Sequence, residues 1–345
     1  MKLAIGILFL CILGCGDEDS GSSSSDSTSP STDESTSESN QDSSDSVSDT
    51  TTTSGSTSSN GTSSKTSNNT SDSNSTTQSS NNTTSETGPN SVSLSLKIAA
   101  FNADILGVTK MGNSTVASYI ADIVARYDII LVQEIRDVSL ETPSDLLDLV
   151  NAKGKGTYAV SVSDRLGRTS SKEQYAFYYK TESALSVSTS YVFVDSDDVF
   201  EREPYIVQFS KDSYSFGLIG IHVKPTDAVS ELNFLDDVYS SASTSHPSDD
   251  WIILGDLNAD CSYLSDAKYN ALDISSTAGF VWNIAKDLDT TVSSTDCAYD
   301  NIISKTTNVK NAGIFDFKTF FGIDQATAEE ISNHYPVEFT LEIKK

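Results

Sequence analysis

The 345 residues include 49 acidic and 22 basic side chains, a formal charge of −27 at neutral pH. That balance argues against a broad basic surface for gripping nucleic acid, because non-specific affinity for phosphates comes mainly from Lys and Arg. It leaves open metal-assisted chemistry on an anionic substrate, where a bound cation and a few arginines supply positive charge locally.

Composition divides the chain. Residues 1–93 hold 12 acidic and 2 basic side chains and, beyond Cys15, consist almost entirely of Ser, Thr, Asn, Asp, Gly and Glu. Such a segment buries too little apolar surface to offset chain entropy and is expected to be a disordered tether over residues 16–93. As a flexible coil it would span roughly 50 Å. It carries Asn-X-Ser/Thr sites, such as Asn60, Asn74 and Asn82, which matter only in a glycosylating host. The remaining residues, 94–345, hold 37 acidic and 20 basic side chains and suit one large single-core domain. At the amino terminus Lys2 precedes an apolar run from Leu3 to Leu13, too short to span a bilayer and shaped like a signal-peptide core, so export is expected. Ile12-Leu13-Gly14-Cys15 also resembles the lipobox of bacterial lipoproteins, which makes lipid on Cys15 the expectation and simple secretion the alternative.

The domain opens on Leu96 to Asn102, an apolar run that predicts a buried strand ending on a polar residue. Ser114 can cap a helix in which Val116, Ile120, Ile123, Val124 and Tyr127 share one face. Ile129 to Val132 is strand-like and ends in Gln133-Glu134. Phe216 to Ile221 ends at His222, and helical spacing runs from Ala228 to Tyr239. Trp251 to Leu254 ends at Gly255-Asp256-Leu257-Asn258, and a last strand, Tyr335 to Ile343, begins just after His334. Alternating apolar runs and helical segments indicate an α/β or α+β domain. Asn102, Glu134, His222, Asp256 and Asn258 each sit where an apolar run gives out, the position from which layered sheet domains build active sites. Within the domain only Cys261 and Cys297 remain, and in an exported protein such a pair reads as one disulfide. Two free thiols or a metal pair are the alternatives, the latter without the further ligands of a zinc set.

No Gly-x-Ser-x-Gly elbow, P-loop or dinucleotide fingerprint occurs. The inventory of well-placed histidines, carboxylates and Asn instead suits hydrolysis by activated water. A carboxylate such as Glu134 holds a hard cation, one imidazole takes a proton and another gives one. His246, in a Ser-Pro-rich loop, reads as a bystander.

Longer stretches make the comparison specific. Leu96–Asn102, Thr109–Ile120, Gln133–Asp137, Leu166–Arg168, Lys172–Glu173, Arg202–Pro204, Gly255–Tyr263, Cys297–Asp300 and His334–Glu338 occur in the order of the deoxyribonuclease I family, which the chain resembles from about Leu94 to Ile343. The Lys-Met-x-Asn and Asn-Ala-Asp-Cys-Ser-Tyr stretches are particular to that branch of the endonuclease/exonuclease/phosphatase superfamily. The resemblance implies a four-layer α/β/β/α sandwich of two mixed β-sheets flanked by helices. It pairs His222 with Glu173, and His334 with Asp300, as the acid and base of phosphodiester hydrolysis. It assigns Asn102, Glu134 and Asp256, together with the Asn333 position, to the site of a catalytic Mg²⁺ or Mn²⁺, and Asn258 to the scissile phosphate. Arg136, Arg202 and Tyr299 become contacts to duplex DNA, with Arg136 in the minor groove. Asp289, Thr291, Ser293 and Thr295 become a structural Ca²⁺ loop, since oxygen-bearing side chains at alternate positions suit calcium. Cys261–Cys297 becomes the family's larger disulfide.

The chain also departs from the family. Asn333 stands where an Asp is usual, Ser171 where vertebrate enzymes carry a Tyr that packs on a sugar, and Asp104 where a basic phosphate contact is found. The segment from Tyr191 to Arg202 is short, which counts against a second calcium site at Asp195, Asp198, Phe200 and Glu203. Tyr205 replaces a small residue of the vertebrate actin-binding surface, so actin binding is not expected; a monomer is. Two alternatives to a DNA endonuclease remain, a superfamily hydrolase acting on another phosphodiester such as a phospholipid head group, and a non-catalytic surface module.

Overall fold

The computed structural model describes residues 94–182 and 184–343; the expected signal segment, the tether and Cys15 lie outside them. Among the described residues two six-stranded mixed sheets are formed. The first runs β11-β12-β1-β2-β4-β3 and the second β5-β6-β7-β8-β10-β9. In chain order the strands are β1 (Leu94–Leu106), β2 (Ile129–Ile135), β3 (Tyr158–Val162), β4 (Gln174–Lys180), β5 (Leu185–Val192), β6 (Tyr205–Lys211), β7 (Tyr214–Gly220), β8 (Asp250–Asp256), β9 (Val281–Trp282), β10 (Asp300–Ser304), β11 (Val309–Ile314) and β12 (Val337–Ile343). The helices are α1 (Val108–Gly112), α2 (Ser114–Val124), α3 (Thr142–Ala152), α4 (Ala228–Asn233), α5 (Leu235–Ser245), α6 (Asp266–Tyr269), α7 (Asp273–Ser276), α8 (Phe317–Phe321) and α9 (Gln325–Ile331).

Burial on both faces explains the unbroken apolar runs. In β1, Ile98 and Ala100 face the second sheet and join Val207, Phe209, Leu218 and Ile252 in the central core. Ala99 and Phe101 point the other way, onto Val116, Ile120 and Val124 of α2. Trp251 and Ile253 of β8 likewise meet Leu232 of α4 and Leu235 and Val238 of α5. Three apolar layers therefore separate helix, sheet, sheet and helix, the four-layer sandwich that the resemblance implied.

Some boundaries differ from the sequence reading. Asn113, not Ser114, caps α2, its side chain accepting from Thr115 N and Val116 N. The helical pattern from Ala228 breaks at Phe234 into α4 and α5, and α5 continues to Ser245. The last strand starts at Val337, beyond Pro336, which has no N–H to give a ladder.

Topology gathers the polar strand ends. β1 and β2 are parallel, as are β7 and β8, so within each parallel pair both strands finish at the same end. β10 and β12 run antiparallel to β8 and β1 and begin there, Asp300 opposite Asp256 and Val337 opposite Ala100. Buried Gln133 stitches the two sheets at this rim, donating to Ile221 O at 2.7 Å and accepting from Asp256 N at 3.0 Å. Gly255 makes the turn possible: its φ is +143°, and a Cβ there would collide with Ile221 O.

Candidate active site

Strain marks the rim. Glu134 (φ 58°), Asn258 (φ 46°), Asp104 (φ 48°) and Ile105 (φ 56°) all adopt left-handed backbone, a conformation that costs non-glycine residues about 1–3 kcal/mol and is concentrated at functional sites.

Two imidazoles form the centre. His222 Nδ1 lies 2.8 Å from Glu173 Oε2, and His334 Nδ1 lies 2.7 Å from Asp300 Oδ2. Their Nε2 atoms turn toward one atom, Asp256 Oδ2, at 3.5 and 3.7 Å. Each histidine is thus fixed at one nitrogen and offers the other to a shared point. All five side chains are buried.

The carboxylates and asparagines assemble beside them. Asn102 donates its amide to Glu134 Oε1 and to Asp256 Oδ2, both at 3.0 Å. Asp256 Oδ1 accepts Asn258 N at 3.0 Å, and Asn258 Nδ2 donates to Val223 O at 2.8 Å. Two carboxylates converging on one amide, beside two imidazoles, form an oxygen-rich set suited to a hard cation such as Mg²⁺. The residues present therefore fit the ion that the resemblance implied. Glu134 with Glu173 and His222, and Asp256 with Asp300 and His334, also form two compact groups of ligand-type atoms.

Electrostatics raises both histidines, through different balances. Burial alone would lower the His334 pKa, but the Asp300 and Asp256 carboxylates outweigh it and push it up to about 10. Burial opposes the proton on His222 too; Glu173 overcomes it and Arg202 works against the rise, leaving the net direction upward. Burial would raise Glu173, but His222, Arg202 and Arg136 bring it down to about 2.

The expected DNA contacts are placed differently from one another. Arg136 bridges Glu134 at 3.0 Å and Glu173 at 2.8 Å, with its side chain about a third exposed. Arg202 is buried, holds His222 O through Nε and Nη2 at 3.3 and 3.2 Å, and lies 3.4 Å from Glu173. Both line a cavity of about 270 Å³ with His222 and Lys224. Tyr299 flanks His334, its ring centroid 6.3 Å away.

Asn333 is exposed; its backbone carbonyl accepts Val292 N at 2.8 Å. Asp289 Oδ1 accepts the N–H groups of Thr291 and Cys297, the one hydroxyl proton of Thr291 is shared between Asp289 Oδ1 and Thr295 O, and the hydroxyls of Ser293 and Thr295 bond each other. Cys261 and Cys297 are joined in a disulfide with Cα atoms 5.9 Å apart. Tyr205 is buried between the sheets, its hydroxyl on Ser161. His246 packs on Tyr191.

Three supporting residues were not singled out from the sequence. Gln133 joins the sheets as described. Ser332 Oγ donates to Asn102 O and accepts His334 N, tying the two site segments together. Thr290 Oγ1 donates to Asp300 Oδ2 at 3.0 Å. The alternating pattern of the expected calcium loop marks odd-numbered positions, while Thr290 between them holds the carboxylate that accepts from His334.

The endonuclease/exonuclease/phosphatase family pattern matches residues 99–310. Deoxyribonuclease-1 of Bos taurus is 41% identical over 264 residues, covering 72% of this chain and 93% of the bovine protein. The chain belongs to the deoxyribonuclease I family. Deoxyribonuclease-1 of Equus caballus, 40% identical over 264 residues, covers the same shares, and that of Homo sapiens is 39% identical over 263 residues, 72% of this chain and 93% of the human protein. Solved structures agree on the fold. An endonuclease/exonuclease/phosphatase family protein from Leptotrichia buccalis superposes with a TM-score of 0.53 at 15% identity, covering 72% of this chain and 100% of that one. One from Bacteroides thetaiotaomicron gives 0.51 at 16%, covering 73% and 99%. Membership places the chain among hydrolases of the nuclease class.

Proposed function

We propose that this chain is an exported, divalent-cation-dependent endonuclease that hydrolyses phosphodiester bonds of DNA. The observation that carries the reading is the pair of carboxylate-held histidines whose Nε2 atoms face the same point. His222, its charge balance moderated by Arg202, takes the proton from the attacking water. His334, held protonated by two carboxylates, gives its proton to the departing oxygen. Asn258 uses one amide N–H on Val223 O and offers the other to a phosphoryl oxygen. Glu134, Asn102 and Asp256 hold Mg²⁺ or Mn²⁺, which when bound polarises the phosphoryl group and offsets the acidic surroundings. Arg136 reads the minor groove of the duplex from the mouth of the cavity. The loop of Asp289, Thr291, Ser293 and Thr295 takes Ca²⁺ as a structural ion. The protein acts as a monomer without actin as a partner, tethered through lipid on Cys15.

A plasmid-nicking assay with the full chain tests the reading. Mg²⁺ should give open-circular product, and EDTA should abolish it. An intact plasmid at saturating Mg²⁺ or Mn²⁺ would overturn the DNA assignment. For the anchor, Cys15→Ala should release the protein from membranes or stop its maturation; unchanged fractionation with normal processing would favour secretion.

A further inference from the structure

Glu231, on α4, is a buried carboxylate that the reaction does not use. Its Oε1 accepts Glu201 N at 3.0 Å and its Oε2 accepts Lys224 N at 3.2 Å. The side chain is fully buried and does not line the cavity bounded by Arg136, Arg202, His222 and Lys224. We infer that Glu231 is a positioning residue for His222, clamping the two irregular segments that hold the histidine's backbone and its carboxylate partner.

The route is continuous. Glu201 is followed by Arg202, whose guanidinium donates to His222 O and lies against Glu173, the carboxylate on His222 Nδ1. Glu201 Oε1 also accepts Thr169 N, which brings in the loop leading to Glu173. Lys224 lies two residues beyond His222. Neither 201–204 nor 221–224 lies within a strand or helix; backbone bonds from Ile221 N to Leu254 O and from Val223 N to Asp256 O tie the second to β8, and Glu231 adds the hold on Glu201 N and Lys224 N. One side chain therefore joins both to a helix.

Only a carboxylate fits the clamp. Two backbone N–H groups arriving from different segments need two acceptors, and an amide supplies one acceptor and a donor that would face the second N–H. Keeping an ion here is costly. Burial pushes the Glu231 pKa up to about 7, against the two N–H bonds and Arg202, which pull it down. The protein keeps the acid in this place despite that cost.

The inference rests on His222 acting as proposed above, and the test separates the two claims. The full chain, Glu231→Gln, Glu231→Asp, Arg202→Lys and the double variant Glu231→Gln/Arg202→Lys are assayed on duplex DNA and on bis(4-nitrophenyl) phosphate, well below each melting midpoint. Glu231→Gln should lower kcat roughly tenfold with KM within about threefold, and add less than about threefold in the Arg202→Lys background, because both act through one network. Glu231→Asp keeps the charge but is a methylene too short to reach both N–H groups, and should lose roughly three- to tenfold. If Glu231→Gln fails to fold, Glu231→Asp decides. Full kcat in a folded variant, a loss confined to KM, or losses that multiply in the double variant would overturn the inference. Should wild type cleave the small diester but not DNA, the substrate assignment fails while these ratios still decide the role of Glu231.

Discussion

The two histidine arms of the site are alike in their distances and different in the charges behind them, though both imidazoles are raised on balance. Each imidazole rests its Nδ1 on a buried carboxylate, at 2.8 Å for His222 and 2.7 Å for His334, and points its Nε2 at Asp256. Behind His222, Glu173 is shared with Arg136 and Arg202, so the carboxylate's charge is divided among three partners. Behind His334, Asp300 receives a neutral hydroxyl from Thr290, and among the described residues its buried Oδ1 has no hydrogen-bond partner. Geometry alone would not tell acid from base. The proposed assignment rests on the two arginines behind His222, for which the described residues supply no counterpart behind His334: a carboxylate favours the protonated imidazole and a nearby cation disfavours it, although both histidines are raised on balance.

The largest expected effect removes either arm. His222→Gln or His334→Gln should each cost at least about a hundredfold in kcat on duplex DNA, the usual scale of positioned acid–base catalysis. Steady-state rates at saturating Mg²⁺ check this, and full activity in either variant would remove that arm from the reaction.

Reducing the disulfide should weaken one arm selectively. The bridge spans 36 residues, and Cys297 O accepts the Thr290 hydroxyl that also supports Asp300. Its loss should cost about 4 kcal/mol by the chain-entropy estimate. Calorimetry with and without reductant measures the cost. Amide exchange should rise around Thr290 and Asp300 and stay flat around Glu173.

In chelator-containing buffer the site should make stability fall on both the acid side, through Glu173, and the alkaline side, through the raised histidines. Glu173, brought from an unfolded value near 4.5 to about 2, contributes stability that is complete above 4.5 and lost as pH falls toward 2. His334, raised from 6.5 to about 10, contributes stability that is complete below 6.5 and lost as pH rises toward 10. Melting midpoints should fall at both extremes. Glu173→Gln should flatten the acid side and His334→Gln the alkaline side; the reverse pairing would break the comparison.

The smallest effect belongs to Asn333. Exposure screens any charge placed there, so Asn333→Asp should raise the rate by less than about tenfold, most at low Mg²⁺. A rise that persists undiminished at saturating metal would mean that the charge acts on His334 rather than on the ion.

Much of this arrangement was legible because strand ends are. Asn102, Glu134, His222 and Asp256 each follow an apolar run, and burial on both sheet faces forces such runs to stop where the chain must become polar. The same runs indicated an α/β or α+β domain, and the four layers came from the family resemblance. The supports were harder to read. Glu231 lies in a helix whose pattern reads as amphipathic, and nothing local marks its carboxylate as facing two distant N–H groups. Gln133 and Ser332 stand beside called residues, but their partners, Ile221, Asp256 and Asn102, are set by tertiary contact. The resemblance made Arg202 a contact to DNA; the segment after β5 also folds it inward onto His222 O.

The division of labour between the arms is tested most directly by the leaving group. His222→Gln and His334→Gln are compared on duplex DNA and on a 4-nitrophenyl phosphodiester, whose phenolate departs without help from an acid. The account predicts that His334→Gln loses at least about a hundredfold on DNA but less than about tenfold on the nitrophenyl ester, while His222→Gln loses at least about a hundredfold on both. Equal losses for His334→Gln on the two substrates, or the rescue appearing in His222→Gln instead, would contradict it.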